Sequence, residues 1–264
     1  MSKTESELIQ LRAENDALKA LLAKHGIAVP PATDFGAGYA ALLKSNVNEL
    51  SSTAKVMIFR RLFRGRDDIY PVRWTSNTTG KSGYSPQCAN KWQPSICKLP
   101  TIKCSECNHS LYAPVTDNII RQHLRGEITA GVYPLLVDNR CYFLAIDFDE
   151  ADWREDARAV LQTCLENDLP AALEISRSGE GAHLWLFFAR ATPAREVRRL
   201  GAALISATCA RTRQLALKSY DRLFPNQDTM PKGGFGNLIA LPLQKEPRDL
   251  GRSVFVDANF QQIP

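Results

Sequence analysis

Three stretches of this chain end in or contain residues that could hold metal ions and phosphate. Asp147 and Asp149 close the run Cys141-Tyr142-Phe143-Leu144-Ala145-Ile146-Asp147-Phe148-Asp149. His183 lies inside Ser176-Arg177-Ser178-Gly179-Glu180-Gly181-Ala182-His183-Leu184-Trp185, and Asp221 opens Asp221-Arg222-Leu223-Phe224-Pro225-Asn226-Gln227-Asp228. Three carboxylates and a histidine on separate apolar stretches form a donor set for two divalent ions and a triphosphate, which points to nucleotidyl transfer. Alternate residues of a strand share a face, so Asp147 and Asp149 should point the same way, with Phe148 opposite. Two such carboxylates repel unless a cation lies between them. An Asp-x-Asp pair alone also occurs in surface strands, metal-dependent nucleases and glycosyltransferases. The turn before His183 adds hydroxyls, a guanidinium and open backbone amides, which suit phosphate oxygens. After Asp221, the loop carrying Asn226, Asp228, Lys232 and three glycines reads as a site wall, with Asp228 a further candidate ligand.

A second constellation is Cys88, Cys97, Cys104 and Cys107, spaced C-x8-C-x6-C-x2-C. Four thiolates suit tetrahedral Zn²⁺, and an insert at about 84–112, poor in apolar residues, would need the ion to be ordered. His109 could replace one thiolate. Cys141, Cys164 and Cys209 sit in apolar or helical patterns and read as buried thiols. Arg60, Arg61, Arg64 and Arg66 form the densest basic cluster. They could track a nucleic-acid backbone, or form a solvated turn paired with Asp67 and Asp68.

These residues need a scaffold. Residues 51–63 and 151–167 have helical periodicity, and 193–217 reads as a long helix opening at Thr192-Pro193. Residues 132–137 and 142–146 read as a hairpin around Asp138-Asn139-Arg140, and 171–175, 182–188 and 236–243 as further strands. The order suggests a mainly antiparallel sheet with helices on one side. Upstream, Leu8, Leu11, Asn15, Leu18 and Leu22 take a and d positions of a coiled-coil helix over 1–26, which could dimerise through residues 4–25 or fold back on its own domain. A Pro-rich linker and leading helix fill 27–50, and the catalytic domain is expected over 51–264.

With 264 residues, 44% of them hydrophobic, the chain can bury a core. Its net charge of +5 is compatible with nucleic acid without requiring it. It has no long apolar run or signal segment, and the metal-like cysteine spacing fits a reducing compartment, so a cytoplasmic protein is expected.

Asp147-Phe148-Asp149, Gly181-Ala182-His183 and Tyr220-Asp221 resemble the three motifs of the archaeo-eukaryotic primase superfamily. The match is closer to the primase-polymerase domain of TOTE conflict systems, through Leu62 to Tyr70, the four-cysteine insert, Ser176 to Trp185 and Tyr220 to Leu243. The resemblance implies an α/β (α+β) fold: an RRM-like catalytic half, an N-terminal α/β module and a zinc-binding insert. It implies catalytic Mg²⁺ or Mn²⁺ on Asp147, Asp149 and Asp221, and triphosphate contacts from His183, Arg177 and Ser178. Related ligase-associated polymerases carry a lysine roughly where this chain has Glu180, which leaves Arg177 or Lys232 to supply that charge. The implied substrates are a DNA template and primer with NTP or dNTP, and the implied setting is a prokaryotic defence or replication module with helicase or nuclease partners. Two other readings remain open on the residues alone: a non-catalytic zinc-containing nucleic-acid-binding module, and a metal-dependent nuclease.

Overall fold

The computed structural model describes residues 50–214 and 216–263. The chain divides into two compact units, Met1–Ser52 and Thr53–Pro264. The coiled-coil segment 1–26 and, but for Leu50, the linker over 27–50 lie outside the described residues.

A five-stranded sheet organises the second unit. Its strands are β4 (Arg140–Asp149), β5 (Ala172–Ile175), β6 (Gly181–Pro193), β7 (Tyr220–Phe224) and β9 (Val254–Val256), in the order β7-β4-β6-β5-β9. Every neighbouring pair is antiparallel, as expected. On β4, Leu144, Ile146 and Phe148 enter one apolar cluster, while Phe143 and Ala145 enter another. This is the two-residue alternation of a strand with both faces covered.

One face packs against helices α3 (Trp153–Glu166) and α4 (Ala194–Thr212), which supply Val160, Leu161, Cys164, Val197 and Leu204. The opposite face is covered too, which differs from the one-sided arrangement expected. Helix α1 (Ser52–Leu62) contributes Val56 and Phe59, joined by Phe63, whose ring meets Trp185 edge-on at 5.1 Å. Helix α2 (Asp117–Arg125) adds Ile120, and a small ribbon of β3 (Gly131–Val132) with β8 (Ile239–Ala240) completes the layer. Short helix α5 (Lys245–Asp249) follows β8. Ahead of α2, β1 (Pro71–Thr75) and β2 (Ser82–Pro86) form a separate ribbon that leads into the cysteine insert.

The expected 132–137/142–146 hairpin does not form, because β3 pairs with β8 instead. The run after it is apolar because Leu135 is fully buried, not because it is a strand partner of β4. The long helix ends at Thr212, and of the expected strand 236–243 only Ile239–Ala240 pairs. At each edge strand the chain itself takes up a backbone carbonyl. Ile263 N–H donates to Phe255 O on β9 at 2.9 Å, and the Asn237 side chain donates to Leu223 O on β7 at 3.0 Å.

His123 ties α2 to the β3–β8 layer. Ala130 N–H donates to its Nδ1 at 3.2 Å, so the proton of the neutral ring is on Nε2, which donates to Pro242 O at 2.9 Å. Burial holds this imidazole down to a pKa of about 4, despite the opposing pull of the Pro242 carbonyl. Between the ordinary value and about 4 the unfolded chain binds a proton that the folded chain refuses. Stability contributed by neutral His123 is therefore complete above about pH 6.5 and lost as pH falls towards 4. Urea midpoints measured across this window should show the loss, about 3 kcal/mol in all, and His123→Gln should flatten that slope relative to the unchanged protein.

Candidate nucleotidyl-transfer site

The carboxylates meet at one end of the sheet. Asp147 and Asp149 are on β4, on the face away from α3 and α4. Across the ladder, Asp147 pairs with His183 of β6 and with Arg222 of β7. Between Asp147 and Phe148 the β4–β7 register slips: Asp147 faces Arg222, but Phe148 faces Tyr220. Asp221 is the extra residue of that bulge. Without it, Asp221 would oppose Phe148 and point into the core; a bulge re-aims the side chain. Carboxylate oxygens of Asp147, Asp149 and Asp221 consequently lie within 4.8 Å of one another. They form the single such group of three or more potential metal ligands found among the described residues.

The start of β7 is pinned from beneath. Buried Asp156 of α3 accepts from Ser219 N–H (3.1 Å) and Oγ (2.7 Å). Ser219 O in turn accepts from Asp149 N–H at 2.8 Å. Burial and then the charges of Asp147 and Asp221 push the Asp149 carboxyl above its usual range, with His183 and Arg222 pulling the other way. Such crowding is what a bound cation relieves, and an all-carboxylate set suits a hard ion such as Mg²⁺ or Mn²⁺. Arg222 forms an ion pair with Asp221.

His183 is held from both sides. Its Nε2 is 3.4 Å from Asp147 Oδ1, and its Nδ1 is 3.0 Å from Glu174 Oε2. A carboxylate only accepts, so Nδ1 carries a proton. Burial opposes a charge on the ring, but the carboxylates of Glu174 and Asp147 outweigh it and raise the imidazole to about 10. Glu174 is 2% exposed and also accepts from Trp185 Nε1 at 2.8 Å. Neither Glu174 nor Asp156 was singled out from sequence. The available signal was a carboxylate placed where the apolar pattern of its own strand or helix called for a buried residue.

The other expected site residues are more dispersed. Ser176 Oγ and Ser178 Oγ are 2.9 Å apart in the turn before β6, and Ser178 Oγ accepts from Glu180 N–H at 3.2 Å. Ser178 also borders an open depression of about 550 Å³ beside Asp149. Arg177 is half-buried and close enough to the Tyr84 phenol on β2 for its charge to oppose the rise that burial causes in that phenol's pKa. Lys232 is exposed, on a loop whose next residue, Gly233, lies against the cysteine insert at Ser105 O. Asp228 does not join the carboxylate group; it pairs with Arg198 of α4. Cys88, Cys97, Cys104 and Cys107 all line one small pocket together with His109. Cys88 Sγ accepts from Leu111 N–H (3.2 Å) and Cys107 Sγ from His109 N–H (3.4 Å).

The basic cluster is largely engaged with protein. Arg60 binds Asp117 and Val115 O, and Arg66 forms a two-point pair with Asp68. Arg64 donates to Ala189 O at 2.9 Å and stacks 3.7 Å from the Tyr142 ring centre. Arg61 is exposed.

Residues 54–264 match the family described as the archaeo-eukaryotic primase domain of TOTE conflict systems. The chain belongs to that family. Membership makes this primase-family domain a nucleotidyltransferase by class and gives the acidic triad its context. Among solved structures, it is similar to the polymerase domain of Mycobacterium tuberculosis Ligase D in complex with DNA. The identity is 15% and the TM-score 0.45, over 78% of this chain and 76% of that one. A search of curated proteins returns no match. No helix among the described residues is long and apolar enough to cross a membrane.

Gly181 gives a direct test of the carboxylate geometry. A Cβ there would meet Asp149 Oδ1 and Phe148 O, each at 2.5 Å. Gly181→Ala should therefore displace the Asp149 carboxylate and weaken Mn²⁺ binding at least tenfold, read by calorimetry or electron paramagnetic resonance. The unchanged circular dichroism of a folded variant would separate this from unfolding.

Proposed function

We propose that this domain extends a nucleic-acid primer along a DNA template, taking nucleotides from NTP or dNTP. The observation that carries the reading is the convergence of Asp147, Asp149 and Asp221 beside a histidine anchored by Glu174. Asp147, Asp149 and Asp221 would hold two Mg²⁺ or Mn²⁺ ions. When bound, such ions supply activation of a 3′-hydroxyl and charge neutralisation at the α-phosphate and leaving pyrophosphate.

His183 faces the same space with its Nε2 edge while Glu174 fixes Nδ1, which leaves Nε2 to meet phosphate oxygens. Ser178 offers a hydroxyl at the depression beside Asp149. Arg177 and Lys232 are assigned to the same triphosphate, in place of the charge that Glu180 does not supply. Asp156 and Glu174 act at one remove: the first sets the height of β7, the second the orientation of the imidazole.

The four cysteines are assigned to a structural Zn²⁺. All four line one pocket, and burial and then the neighbouring Cys88, Cys97 and Cys107 raise the Cys104 thiol, which supports this; no three of the sulfurs lie within the 4.8 Å that the aspartates reach, so the ion would have to draw them together. Crowded thiols are relieved by deprotonation onto a metal. Elemental analysis should find one zinc per chain. Cys97→Ser/Cys104→Ser should lose it and melt at least about 5 °C lower.

Extension of a labelled primer on a DNA template, with Mg²⁺ or Mn²⁺ and with NTP or dNTP pools, tests the catalytic reading. Templated extension should fall roughly a thousandfold in Asp147→Ala/Asp149→Ala. Shortened primers would assign the carboxylates to a nuclease instead, and binding without any extension would reduce the domain to a binding module.

A further inference from the structure

Between Asp68 and Glu106 the chain contains no acidic residue. Residues 69–105 carry Arg73, Lys81, Lys91, Lys98 and Lys103, five cations in a chain whose whole net charge is +5. They occupy the β1–β2 ribbon and the cysteine insert. None of the five makes an ion pair among the described residues, whereas Arg60 and Arg66 do. Lys81, Lys98 and Lys103 are exposed. The two net negative charges that four thiolates around Zn²⁺ would bring leave the stretch positive.

The same stretch holds two of the four tryptophans, and these are the two that are exposed. Trp74 is 45% and Trp92 67% exposed, whereas Trp153 and Trp185 are buried. Trp74 lies against Gly83 across the ribbon, where a Cβ would come within 3.0 Å of the indole. The missing side chain lets the indole lie close to the backbone at Gly83. Exposed indoles and unpaired cations on one acid-free stretch are the means of binding a nucleic-acid strand whose bases are open to stack.

The ribbon and insert also approach two segments that join the strands of the site, the turn before β6 and the loop after β7. Tyr84 of β2 meets Arg177 on the turn before β6, and the insert at Ser105 O lies against Gly233 in the loop after β7. The turn that carries Arg177 leads into Gly181, which pairs with Asp149, so the ribbon's approach is at the carboxylate end of the sheet.

We propose that residues 69–105 form a single-stranded DNA-binding surface, with Trp74 and Trp92 as stacking platforms and Arg73, Lys81, Lys98 and Lys103 as phosphate contacts. The use of that strand as template rests on the nucleotidyl-transfer reading; its binding does not. The place for nucleic-acid recognition thereby shifts from the arginines at 60–66 to the acid-free stretch after them.

The test uses the full zinc-loaded chain and a 20-nucleotide oligo-dT, without added nucleotide or divalent metal. Binding should quench the intrinsic fluorescence, since the two solvent-facing indoles lie at the contact. Trp74→Ala and Trp92→Ala should each weaken binding roughly tenfold. Lys81→Gln/Lys98→Gln/Lys103→Gln should reduce the slope of log affinity against log salt by about 2. A loss in either measurement, in a variant that retains its zinc and its melting temperature, supports the assignment. The assignment is overturned if the unchanged protein fails to bind, or if both the salt slope and the tryptophan dependence survive the substitutions. Because no catalysis is involved, binding that persists where extension fails sinks only the polymerase reading.

Discussion

Like-charge repulsion among Asp147, Asp149 and Asp221 is the constraint the sheet has to sustain. Each carboxylate would lower its energy by moving into water, yet all three are held at one rim of the sheet with ligand atoms inside 4.8 Å. The restraint is distributed over backbone rather than over the aspartates themselves. Strand β4 is paired on both sides, its apolar residues are locked into clusters on both faces, and Asp149 N–H is bonded to Ser219 O. Buried Asp156 and Glu174 are part of the same arrangement. Each is a charged group inside the protein, acceptable because donors surround it, and each fixes an element that carries a site residue.

Charge elsewhere in the domain is sorted by whether it is already satisfied. The arginines around residue 64 close gaps between α1, α2 and the sheet, so their guanidiniums act as structural donors. The lysines of the ribbon and insert make no ion pair among the described residues and share their stretch of chain with two exposed indoles. Density of basic residues along the chain therefore does not by itself tell how many of them are left without a partner in the fold.

The sequence exposed what depends on local periodicity and missed what depends on pairing. Asp147 and Asp149 share a face because alternation in a strand guarantees it, and the apolar run around them marks the strand. The antiparallel sheet, α3 and the start of α4 were readable for the same reason. The bulge that turns Asp221 towards its companions was not, since register belongs to the β4–β7 pair rather than to either strand. Glu174 stood out only as a carboxylate inside a short apolar strand, and its role needed Trp185 and His183 placed beside it. The false hairpin after residue 132 came from an apolar run whose burial, not strand pairing, explains its composition. Asp228 looked like a ligand from its spacing, but Arg198, thirty residues away along the chain, claims it.

The closure of the sheet's two rims bears on how the domain can associate. At β9 the returning tail takes up Phe255 O, and at β7 the Asn237 amide takes up Leu223 O. The backbone groups that another polypeptide would use to add a strand are thus answered at these points from within the chain. Strand addition at these points would have to displace those bonds, whereas side chains and the turns at the strand ends stay open to a partner. That favours a guest such as a polynucleotide, which has no peptide backbone to pair, over a guest that binds by lengthening the sheet.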